Sequence, residues 1–213
     1  MSHMTKKTLI VFILLSMFLI CFSQQKDSLP LKRNPFEMMD QKVPAFSGTS
    51  LSGKQWSNDS LKGKVTVFTF WYIGCAGCMY EINSLNILNK EYKNKDFVLL
   101  SLAPQVKEDL QAFNDTSKSI HSMLRNMFNA KPIEYEIIPT CDARKPKSEA
   151  ATLQLGPECD LIEKDFKVWG HPVLFIADKN GIIRYIHQGF ASGAKAESLL
   201  NTYRKEIDEL LNK

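Results

Sequence analysis

Cys75 and Cys78 stand three residues apart in the run Cys75-Ala76-Gly77-Cys78. Two thiols at this spacing, at the start of a helix, lie one turn from each other and can bridge. A helix N-terminus carries partial positive charge and free N–H groups, so it favours thiolate over thiol. The first cysteine is thereby a nucleophile near neutral pH, with a pKa that can fall to about 7 or lower. A thiolate of this kind attacks a partner disulfide, and the second thiol resolves the mixed disulfide. The same four residues also suit half of a zinc site or a structural disulfide. Tetrahedral zinc takes four ligands, usually in two pairs, and the chain has no second CxxC and no HxxxH pair. Placement between a strand and a helix favours the redox dithiol.

The flanking sequence supplies that placement. Val65 to Trp71 is apolar, rich in β-branched and aromatic residues, and predicts a buried central strand. Cys78, Ile82, Leu85, Leu88 and Tyr92 then recur every three to four residues, as the stripe of an amphipathic helix does. Phe97 to Leu102 predicts a second buried strand. A helix follows from Pro104 through Val106, Leu110 and Phe113. Another runs through Ile120, Leu124, Met127 and Phe128, capped near Asn114 or Asp115, and a strand covers Ile133 to Ile138. Val173 to Ala177 and Ile182 to His187 flank Asp178-Lys179-Asn180-Gly181, a hairpin signal. Leu199, Tyr203, Ile207 and Leu210 mark a closing helix, and Leu51-Ser52-Gly53-Lys54 turns a short hairpin between Val43 and Trp56. A βαβ unit, a hairpin and a last helix make an α/β architecture. The crossover puts the first helix on one face of the sheet, and the closing helix is expected to help cover both faces.

The chain has 213 residues, 44% hydrophobic and 23% charged, enough for one globular domain with a real core. Lys6 and Lys7 precede an apolar run from Leu9 to Phe22, after which Ser23-Gln24-Gln25-Lys26 turns polar. This pattern predicts a signal peptide over residues 1–23, cleaved after Ser23. An uncleaved membrane anchor and lipid attachment at Cys21 are the competing readings, although Ile20 is not the small residue that lipid attachment expects. Without residues 1–23 the chain keeps 25 basic and 23 acidic residues, a balance that offers nothing to nucleic acid. Four cysteines remain: Cys75, Cys78, Cys141 and Cys159. An even number in an exported chain suggests two pairs in an oxidising compartment. Residues 24–42, polar and holding Pro30 and Pro35, read as a linker or arm.

Phe70-Trp71, the CxxC, Glu81, Val168-Trp169-Gly170-His171-Pro172, and the hairpin through Asp178 and Gly181 together resemble the thioredoxin superfamily. Within it, the exported TlpA/ResA-like thiol-disulfide oxidoreductases are the most similar group. The resemblance spans residues 43–213. It implies a thioredoxin-like fold: a mixed central sheet flanked by helices, an N-terminal β-hairpin, and an insertion of about 139–167 before a cis-proline. By resemblance Cys75 attacks, Cys78 resolves, and Pro172 is the cis-proline that packs against the dithiol. Gly170, His171, Pro172 and Trp71 would contact substrate. His171 would also tune the dithiol or, with both thiolates, bind copper as Sco-type chaperones do. Gly74 stands where a tryptophan is common, Thr69 where thioredoxins bury an acid, and Asn83 where many relatives carry a kinking proline. Glu81, one turn beyond Cys78, is a possible modulator that faces either the site or solvent. His121 and His187 read as surface residues. Cys141 and Cys159, 18 positions apart, are expected to close the insertion as a structural disulfide. The resemblance implies no added cofactor. It implies disulfide-containing exported proteins as substrates, a membrane thiol reductase as electron donor, and a periplasmic or secreted location. The alternatives are a disulfide oxidase or isomerase, and a metallochaperone.

Overall fold

A computed structural model describes residues 33–115, 120–141 and 164–213. Its chain order is β1 (Ser47–Thr49), β2 (Gln55–Ser57), β3 (Val65–Phe70), α1 (Ala76–Glu91), β4 (Phe97–Ala103), α2 (Lys107–Asn114), α3 (Ile120–Met127), β5 (Glu136–Pro139), β6 (Val173–Ala177), β7 (Ile183–Gln188) and α4 (Ala194–Leu211). Strands β1 and β2 form a separate antiparallel hairpin. The main sheet runs β5-β4-β3-β6-β7. Strand β3 is central, parallel to β4 from Val65↔Phe97 to Phe70↔Leu102 and antiparallel to β6 from Thr66↔Ala177 to Phe70↔Val173. All six of its residues are buried, as a strand with neighbours on both edges and layers on both faces must be.

Alternation along the strands divides the core in two. Val65, Val67, Leu99, Ile137, Leu174 and Ile176 point to one face, where they meet Met79, Ile82 and Leu85 of α1 and Leu200, Tyr203 and Ile207 of α4. Phe68, Phe70, Leu100, Leu102, Val173 and Phe175 point to the other. The closing helix therefore shares a face with α1 instead of covering the opposite one. Among the described residues, the second face is covered by Met38, Val43, Phe46, Trp56, Leu61, Phe166 and Val168. The Phe166 ring lies against Phe68, Phe70 and Phe175 with centroids 5.0–5.7 Å apart. The arm thus belongs to the packed unit from its described start. Asn34 caps a short 3-10 turn over Pro35–Met38, Met38 is buried, and Asp40 N donates to Ile183 O at 2.8 Å beside the edge strand.

The strand expected over Ile133 to Ile138 is only Glu136–Pro139. Residues 129–134 bond instead to asparagine side chains. Asn83 holds Asn129 O and Lys131 N, Asn86 holds Pro132 O and Glu134 N, and Asn89 holds Glu134 O, all at 2.8–3.0 Å. Asn114 takes both polar groups of the Ile133 backbone. It is the last residue of α2, not the cap of α3. Three asparagines at a spacing of three put one amide per turn on the same side of α1, which satisfies an extended segment without a partner strand. Residues 1–32, 116–119 and 142–163 lie outside the described residues. With them lie the expected signal peptide and most of the expected insertion, including Cys159.

Candidate redox site

Strand β3 ends at Phe70, and Trp71 to Gly74 lead the chain to the start of α1. Cys75 is the N-cap of that helix, and its Sγ accepts the N–H of Cys78 at 3.2 Å. Cys75 and Cys78 are joined in a disulfide with Cα atoms 5.3 Å apart. The helix-start placement read from the sequence is therefore present. Both cysteines are buried in this oxidised state, Cys75 at 5% and Cys78 at 3% exposure. The asymmetry lies in hydrogen bonding. The cap position aims a backbone N–H at Cys75 Sγ, and a donor at that point favours its thiolate.

The His171–Pro172 peptide is cis. Pro172 is buried, and its carbonyl accepts from Gly189 N at 3.0 Å, while Gln188 Nε2 donates to Trp169 O at 2.7 Å. The end of β7 thus ties down the loop that carries Trp169, Gly170 and His171. His171 is half-buried and meets the edge of the Tyr72 ring, with centroids 5.2 Å apart. Among the described residues, no three His, Cys, Asp or Glu side chains cluster as metal ligands.

Trp71 is not at the surface. It is 2% exposed, its indole N–H donates to Ser101 Oγ, and its ring packs on Phe113 with centroids 5.0 Å apart. Its place is in the core beneath the site, and the exposed tryptophan is Trp169, at 69%. Sequence reading passed over Phe190 as well. Its half-exposed ring stacks on Tyr80 at 5.5 Å and 11°, and a Cβ built on Gly77 would fall 2.5 Å from Phe190 Cδ1. Phe190 therefore lies over the dipeptide between the two cysteines. Its only sequence signal was a large aromatic in a polar, glycine-containing stretch just past β7.

One turn beyond Cys78 lies a buried acid. Glu81 is 5% exposed, so it does not face solvent. Cys78 and Glu81 sit three residues apart on the buried side of α1, a spacing that makes them neighbours on one helix face. The Tyr203 hydroxyl donates to Glu81 Oε1 at 3.1 Å. Burial pushes the Glu81 carboxyl up to about 8, against the opposing pull of that hydrogen bond. Tyr203 and Tyr135 are both raised, chiefly by burial and further by the charge of Glu81, so both remain proton donors. Thr69, at the strand position where an acid was sought, is buried and carries no charge. The acid comes from the helix instead.

His187 has partners. Its Nε2 lies 2.7 Å from Glu206 Oε2, and its ring meets the Tyr203 ring edge-to-face at 4.9 Å. The His121 side chain lies outside the described part of the structure. Of the expected structural pair, Cys141 is half-buried just after β5, and Cys159 is outside the described residues.

A disulfide at a helix N-cap, with a protonatable acid one turn beyond it on the buried side of the helix, can take two electrons from a dithiol, and in its reduced form it can give them to a disulfide. The AhpC/TSA family model matches residues 39–186. Thioredoxin-like protein YneN of Bacillus subtilis is 26% identical over 164 residues, covering 76% of this chain and 78% of that protein. A thioredoxin-family thiol:disulfide interchange protein of Chlorobium tepidum superposes with a TM-score of 0.52 at 19% identity, over 80% of this chain and 95% of that one. A thiol:disulfide interchange protein of a Bacteroides species gives 0.51 at 18% identity, over 80% and 90%. The two structures share the fold of the five-stranded sheet and its helices. The chain belongs to the AhpC/TSA family within the thioredoxin superfamily, and it is a thiol-disulfide oxidoreductase of thioredoxin type.

Proposed function

We propose that this protein works outside the cytoplasm and reduces disulfides in exported proteins with the Cys75/Cys78 dithiol. A membrane thiol reductase then returns the electrons. The observation that carries the chemistry is the Cys75 sulfur at the helix cap, with Glu81 buried one turn behind Cys78. The location rests on Lys6, Lys7 and the apolar run after them.

The steps follow from the positions. The Cys75 thiolate attacks one sulfur of a substrate disulfide, that S–S bond breaks, and the first substrate sulfur leaves and takes a proton. Cys78 gives its proton to the Glu81 carboxylate and attacks Cys75 Sγ. The Cys75–Cys78 bond forms, and the second substrate sulfur leaves and is protonated. The dithiol has lost two electrons and the substrate has gained them. Glu81 is the proton carrier of the resolving step, because an acid raised to about 8 holds or releases a proton near neutral pH. Gly170, His171 and Pro172 line the approach of the substrate chain. Cys141 and Cys159 close the insertion.

The reduction potential of the Cys75/Cys78 couple tests the direction. A value close to that of thioredoxin, about −270 mV, is expected, whereas one near −120 mV belongs to an oxidant. Cys78→Ser should trap substrates as mixed disulfides on Cys75, and Cys75→Ser should trap none. Trapping by Cys75→Ser alone would reverse the two roles. Tight stoichiometric Cu(I) binding that needs Cys75, Cys78 and His171 together would favour the metallochaperone.

A further inference from the structure

Glu81 is not alone behind the dithiol. The group that touches it comes from the far end of the chain. Tyr203 sits in the middle of α4, fully buried between that helix and α1, with its hydroxyl 3.1 Å from Glu81 Oε1. The other side of the Tyr203 ring is braced by the His187 ring, itself held by Glu206 at 2.7 Å. Tyr80, Glu81, Ser84, Leu199 and Tyr203 line one crevice between α1 and α4, which places the buried acid and the exposed Tyr80 along a common opening.

We infer that Tyr203 is the positioning residue of the proton carrier: its hydroxyl fixes the Glu81 carboxyl toward Cys78 and selects its ionised form for the resolving step. This inference rests on the reading of Glu81 as that carrier. A buried carboxylate has few partners to replace water, and a phenol that stays protonated gives it a charge-assisted hydrogen bond. The titratable groups that act on Glu81 are Tyr203 on α4 and Tyr135 ahead of β5, and Cys78 lies one turn before it on the buried side of the same helix. His187 on β7 and Glu206 on α4 stand behind Tyr203. Among these, Tyr203 is hydrogen-bonded to the carboxyl directly, and in that bond its hydroxyl donates. Without its hydroxyl, burial alone would act on Glu81, and the carboxyl would accept the Cys78 proton only at higher pH.

The test measures the rate at which a preformed mixed disulfide on Cys75 is resolved by Cys78, from pH 5 to 9. It compares the full chain with Y203F, E81Q and the double variant. Y203F should move the acidic limb of the profile to higher pH and slow resolution at pH 7 by about tenfold, the ratio that one pH unit represents. E81Q should remove that limb, and Y203F should add nothing in the E81Q background. An E81Q profile equal to that of the parent would overturn the carrier reading itself. An altered E81Q profile with an unshifted Y203F profile would overturn the role of Tyr203 alone. If Y203F loosens the fold, a carboxyl-carbon NMR titration of Glu81 in H187A, which keeps the hydroxyl and removes its brace, is the second measurement. A raised Glu81 midpoint there supports the inference, and an unchanged one counts against it.

Discussion

Helix α1 begins with two surroundings that share almost no chemistry. On its outer side Phe190 lies over Gly77 and stacks on Tyr80, and the exposed Trp169 sits three residues before the cis-proline. On its inner side Cys78 and Glu81 are buried, and one tyrosine hydroxyl of α4 meets the Glu81 carboxyl. The outer side is apolar and open, suited to gripping a polypeptide. The inner side is buried and apolar around one hydrogen-bonded carboxyl, suited to holding a proton. An exposed ring gives up little when it changes partner, whereas a buried charge without a partner costs several kcal/mol. Substitutions on the inner side should therefore alter stability and pH response, and those on the outer side should alter substrate binding.

The largest effect belongs to Glu81→Gln. The Glu81 pKa is raised from 4.5 to about 8 in the folded protein. A group raised in this way contributes stability that is fully present below pH 4.5 and is lost as pH climbs through about 8, because the folded state must then bury a charge. The parent protein should lose up to about 1.4 kcal/mol per pH unit from this one group across that window. Glutamine cannot ionise, so the variant should show a flatter profile and be more stable at pH 8 by on the order of 3 kcal/mol. Urea denaturation of the oxidised form between pH 4 and 9 reads this directly. Parallel profiles for the two proteins would mean that Glu81 is solvated, and the contrast between the two sides would fail.

Gly77→Ala comes next and probes the outer side. The added methyl would sit 2.5 Å from Phe190 Cδ1, so the ring must leave its stack on Tyr80 or the helix start must shift. Overpacking of this kind costs about 1–2 kcal/mol, or roughly 4 °C in Tm for a domain of this size. Phe190→Ala in the same background should return most of the loss. Failure of that rescue would show that the glycine is needed for the backbone of the CxxC turn and not for the room that Phe190 occupies.

How much of this was legible depended on whether the signal was local. The βαβ unit, the Asn180-Gly181 hairpin and the closing helix follow from periodicity and turn residues, which act within a few positions. Cys75 at a helix cap is local in the same sense. Glu81 was visible as a residue but not as a buried one, because its burial is decided by α4, more than a hundred residues away. Trp71 was expected at the substrate surface, and its burial was hidden for a related reason. A tryptophan at a strand end and one beside a proline look alike until Ser101 and Phe113 claim the first. The asparagine spacing of 83, 86 and 89 was in plain view. Its meaning appears only when the 129–134 backbone lies alongside to accept and donate.

The smallest effect should come from Trp169→Ala, and it isolates binding from chemistry. The side chain is 69% exposed, while its backbone is anchored by Gln188, so the substitution removes a surface without disturbing the cis-proline loop. An aromatic ring at the edge of a contact contributes about 0.5–1 kcal/mol when it covers an apolar neighbour. With a polypeptide disulfide as substrate, KM should therefore rise a few-fold and kcat should stay the same. A small aromatic disulfide, which reaches the cysteines without lying along the loop, should react at the parent rate. Equal losses with both substrates would place Trp169 in the dithiol chemistry itself. A Trp169→Ala protein that also shifted the pH profile of resolution would couple the outer side to Glu81, against the separation that the burial of Glu81 and the exposure of Trp169 describe.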